Sequence, residues 1–82
     1  MTGRSDRSAG NRAGHAAAGR IVERLQERFA GDTVDPADVI SAMQHEVATF
    51  RALLVSQGHT PVMIDAATTM ARATVARLIT KA

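Results

Sequence analysis

Three histidines, eight carboxylates and a scatter of hydroxyls are what this 82-residue chain offers for active-site chemistry. His45 and Glu46 open the run HEVAT, which begins like the zinc motif H-E-x-x-H. The motif needs a second imidazole one helical turn later to complete the ligand pair, and Thr49 and Phe50 stand there instead, so it fails. Asp38, Ser41 and His45 share one side of a helix at three- and four-residue spacing. They could form a weak ligand set, and a solvated polar face explains them equally well. His15 and His59 sit near the ends of the elements, away from that group. With no cysteine there is no thiolate nucleophile, no thiolate metal site and no disulfide framework, which fits a cytoplasmic protein. The residues therefore predict no catalytic, metal or cofactor site and no small-molecule substrate. The chain reads as a non-enzyme.

Charge is the next possible handle. Net charge is only +2, and nine of the ten basic residues are Arg. By segment the balance is +3 over residues 1–30, −3 over 31–58 and +2 over 59–82. The segment MARATVARLI resembles the recognition-helix part of helix-turn-helix repressors, in which a run like V-S-R-A-T-V-x-R-L recurs. The preceding FRALLVSQGHTPVMIDAATT loosely echoes the helix, Gly and Thr that introduce that motif in TetR-like repressors. The resemblance covers about ten residues well. It implies a first helix over Thr60–Thr68, with Arg72, Ala73, Thr74 and Arg77 turned to a major groove. Arg4, Arg7 and Arg12 would then add phosphate contacts. The departures are that Thr69 replaces the turn glycine, Thr68 the alanine before it, and the spacing from Gly58 is about three residues short. Only Phe29 and Phe50 are aromatic, which argues against a base-stacking platform for single strands.

The elements that would position these residues are helices. The clearest runs from Asp35 to Gly58: Asp35 suits the N-cap, Pro36 the first helical position, and Gly58 the left-handed stop. Val34 and Val39 have the spacing of a hydrophobic staple. Val39, Ile40, Met43, Val47, Phe50 and Leu54 make its apolar stripe, widened by Leu53 and Val55, so this helix is expected at the centre of the bundle. A helix from about residue 15 to Ala30 carries Ala18, Ile21, Val22, Leu25 and Phe29, with Gly31 to end it. Arg20–Glu23 and Arg24–Glu27 are expected as solvent-side pairs. The third helix starts at Thr60 and Pro61, with Asp65 near its start and Arg77 and Lys81 near its end. Its inward face is predicted to be Met63, Ile64, Ala67, Met70, Ala71, Thr74 and Leu78, with a break near Thr68–Thr69 if the repressor likeness holds. Met43, Met63 and Met70 read as core filler.

Residues 1–14 are rich in Gly, Ser, Asn and Arg and read as a disordered basic arm, so the domain is expected over residues 15–82. No apolar run approaches a membrane span, and no sustained apolar stretch follows the basic start, so neither a membrane helix nor a secretory signal is expected. The prediction is an all-α, up-down-up three-helix bundle. Eighty-two residues lie near the lower limit for a self-sufficient core. The function expected first is that of an interaction protein: an adaptor, regulatory or assembly subunit that meets itself or another protein. Leu53, Val55, Ala66, Val75 and Ile79 are its expected interface. The alternative is a DNA-binding regulator. Removing the charges of Arg72 and Arg77 separates the two, since it would abolish DNA binding and spare protein assembly.

Overall fold

A computed structural model describes the backbone of residues 2–30 and 34–81, and the side chains of residues 5–30 and 34–79. Among the described residues there are three helices and no strand: α1 (Thr2–Phe29), α2 (Pro36–Ser56) and α3 (Pro61–Lys81). They form the predicted all-α bundle. α1 and α3 run parallel, and α2 returns antiparallel across one side of the pair. The molecule is elongated, 48 × 24 × 17 Å.

The local signals of α2 act as their chemistry dictates. The Asp35 carboxylate accepts a hydrogen bond from the Ala37 N–H at 3.0 Å, with Pro36 following at the first position. At the other end Gly58 has φ +79°, and the backbone N–H groups of Gly58 and His59 donate to the carbonyls of Val55 and Leu54. That reciprocal pattern is a Schellman closure, and it needs a residue that tolerates the left-handed region. α3 opens on Thr60, whose hydroxyl accepts from the Met63 N–H at 3.3 Å and donates to the Asp6 carboxylate at 2.9 Å. One threonine thus caps α3 and ties it to the first turns of α1. Gly31, expected to end α1, lies outside the described residues.

Three expectations are corrected. Residues 5–14 are not a free arm: they belong to α1 and pack on α3. Gly10 and Gly14 are buried, and Ala9 and Ala13 lie against Leu54, Met63, Ile64 and Ala67. Each glycine costs about 1 kcal/mol of helix propensity relative to alanine, which is why the segment reads as loop by composition. Here the missing side chains let the α1 backbone come against α3, and docking outweighs propensity. The domain therefore includes residues assigned to the arm.

The second correction concerns α2. α1 and α3 share the most extensive interface, and α2 contacts each of them less. The centre of the bundle is the α1–α3 pair, because the small faces of those two helices allow the closest approach.

The third concerns α3, which is continuous through Thr68 and Thr69. The Thr68 hydroxyl donates back to the Ile64 carbonyl at 2.7 Å, so its polar atom is satisfied inside the helix. The inward face is also rotated from the predicted one: Val75 is buried and Ile79 half-buried, while Leu78 is exposed. One apolar cluster joins Ala18, Ile21, Leu25, Ala42, Val47 and Val75, and a second joins Leu54, Met63, Ile64 and Ala67. Arg24 reaches across to Glu46 of α2 at 2.8 Å and not along its own helix to Glu27. The pair is largely solvated, so it contributes at most about 1 kcal/mol.

Candidate interaction surface

The polar group on α2 stays on the surface. Asp38, Ser41 and His45 are exposed and line an open depression of about 470 Å³ with Arg28, Phe29 and Ala42. Arg28 lies over the Phe29 ring, 5.5 Å from its centroid. Among the described residues no three His, Cys, Asp or Glu side chains gather closely enough to hold a metal ion.

The DNA-contact residues do not assemble into a reading head. Arg72 and Arg77 are exposed on α3, whereas Thr74 between them is 3% exposed and faces the core. A continuous α3 has no turn to project a recognition helix away from its neighbour, as a helix-turn-helix requires. Arg7 and Arg12 are exposed on α1, and the Arg4 side chain lies outside the described residues.

The predicted interface residues also separate. Leu53 and Val55 are each 52% exposed, yet two residues apart on a helix they point to opposite flanks of α2. Leu53 borders a narrow cleft against α1 with Ala17, Arg20, Ile21 and Phe50. Val75 is 0% exposed and belongs to the core, and Ile79 packs against the same cluster. Val75 thus serves the fold, while Ile79 keeps part of its surface in an open depression with Leu78, Val39 and Phe29. Ala66 lines a groove.

That groove, about 440 Å³, runs between α1 and α3 on the side away from α2. Arg7 and Asn11 form one wall; Val62, Ala66, Met70 and Ala73 form most of the other, with Asp65 and Thr69. It exists because α1 and α3 lie parallel and only their other side is covered. Val62 was not picked out by the sequence reading, and Thr69 and Ala73 entered it only through the repressor likeness. Their signal was available in the spacing of Val62, Ala66, Thr69 and Ala73 along the face opposite the buried one, but small residues weigh little in a search for large apolar stripes. Among the described residues, no helix is long and apolar enough to cross a membrane.

The fold and surface define a class, a small all-α three-helix bundle with an open groove and an exposed apolar fringe. No protein-family model, curated protein or solved structure matches the chain.

Proposed function

We propose that this chain is a non-enzymatic interaction protein, an adaptor, regulatory or assembly subunit that works by binding protein, itself included, through its helical surfaces. The observation that carries the reading is an excess of surface. A compact monomer of 8.7 kDa is expected to expose about 4,700 Å², and this chain exposes 5577 Å². The difference, roughly 800 Å², follows from the elongated shape and leaves apolar side chains uncovered. Ile40, Leu53, Val55, Val62 and Leu78 are large apolar side chains left on that surface. A cysteine-free chain suits work in the cytoplasm.

Sedimentation equilibrium over a range from low to high micromolar protein tests it. A mass rising above the monomer's 8.7 kDa is the expected result. A constant monomer mass at high micromolar concentration, with no binding partner recovered, removes the support.

A further inference from the structure

We propose that the exposed face of α3 is a two-fold docking surface for a second copy of this chain, packed α3 against α3 in opposite directions with Thr69 beside the axis. The inference rests on the interaction reading above and names its partner and its contact.

Shape is the first support. Val62, Ala66, Thr69 and Ala73 recur every three or four residues on the side of α3 away from the core, and the groove beside Arg7 and Asn11 runs along them. Side chains this small let a second backbone come close, as Gly10 and Gly14 do where α1 seats against Met63, Ala66, Ala67 and Met70 beside this face. Val62 is 43% exposed and is the large apolar group a second helix would cover.

Charge is the second, independent support, and it selects the occupant. Asp65 and Arg72 are exposed on the same flank of α3, seven residues apart. Neither forms an ion pair among the described residues. Two helical turns, about 10.5 Å of rise, keep them from pairing with each other. A two-fold axis perpendicular to α3 near residue 69 reverses the helix direction and leaves each flank facing its own copy. Asp65 then lies opposite Arg72 of the second copy, and the contact occurs twice. Parallel packing would put this flank of the two copies on opposite sides of the seam and would form neither contact. A self-complementary patch is what a closed dimer requires. The cleft at Leu53 contains Glu46, already bound to Arg24, and the depression at Leu78 is lined by Val22, Leu25, Gln26, Phe29, Val39 and Ile79, with no charged side chain to select an occupant.

The test uses the full chain and its lack of cysteine. Thr69→Cys should cross-link to a disulfide dimer under mild oxidation, while Ser56→Cys, equally exposed on α2, should not. Asp65→Arg should weaken self-association at least tenfold with helicity by circular dichroism unchanged, and Asp65→Arg combined with Arg72→Asp should restore it. If the wild type associates but Thr69→Cys cross-links no faster than Ser56→Cys and Asp65→Arg has no effect, this inference is overturned and the interaction reading stands. Loss on Asp65→Arg without recovery in the double exchange also overturns it. A wild type that remains monomeric throughout overturns both.

Discussion

At the scale of single residues, the glycines of α1 show how one residue type can act in opposite ways on the same helix. A Cβ at Gly10 would stand 2.5 Å from the Met63 carbonyl oxygen and 2.8 Å from the Ala66 Cβ. One at Gly14 would collide with the Ala67 carbonyl, a backbone atom that cannot swing aside. Gly19 faces open space, with nothing within 4 Å. Propensity favours alanine at all three sites by about 1 kcal/mol, and overpacking costs about 1–3 kcal/mol where a neighbour cannot yield. Gly14→Ala should therefore destabilise the protein by about 1–2 kcal/mol net, and Gly19→Ala should stabilise it by about 0.5–1 kcal/mol. Urea denaturation of the two variants checks both signs, and equal effects would mean that α1 is not seated on α3 in this way. Thr60 acts through two bonds at once, so Thr60→Val should lose about 1–2 kcal/mol by removing the cap and the tie to Asp6. Asp6→Ala should lose less, because the Met63 N–H keeps its acceptor. Melting temperatures of the two variants give the order.

At the scale of elements, the first half of α1 is held by docking. It carries Ser5, Asp6, Ser8, Gly10, Asn11 and Gly14, a sequence with little tendency to form an isolated helix. Its removal would uncover Met63, Ile64, Ala67 and Leu54, which it now shields with Ala9 and Ala13. Deleting residues 1–14 should thus cost roughly 3 kcal/mol or more, by the usual scale for exposing core side chains. Far-UV circular dichroism should then lose more helix than the deleted residues account for. A dispensable arm would come off with no change in melting temperature. α2 is held differently, by strong end signals and a large-side-chain stripe, so its helix should survive that deletion longest.

At the scale of the whole molecule, shape and charge point the same way. An elongated bundle exposes more surface than a compact one of its mass, and its net charge is only +2. Binding to duplex DNA draws on clustered Lys and Arg and falls steeply with added salt. Labelled duplex titrated with this protein should accordingly show no saturable rise in anisotropy at moderate salt. Saturable binding lost on replacing Arg72 and Arg77 by Ala would instead return α3 to the role of a nucleic-acid contact.

What the sequence determined by itself is what local chemistry determines. Asp35, Pro36 and Gly58 bound α2, and Thr60 with Pro61 starts α3, because capping needs only neighbours along the chain. The stripe Ala18, Ile21, Leu25 placed the core face of α1 for the same reason: helical period puts those side chains on one side. The tertiary structure decided the rest. Whether Gly10 and Gly14 break a helix or seat it depends on what lies opposite, and only the fold puts the Met63 and Ala67 carbonyls there. The turning of Val75 inward and Leu78 outward depends on where α1 and α2 cross α3, a rotation that the apolar spacing of α3 leaves open because Ala, Thr and Met permit several faces. The groove between α1 and α3 belongs to two segments some sixty residues apart, and no reading along one helix contains it.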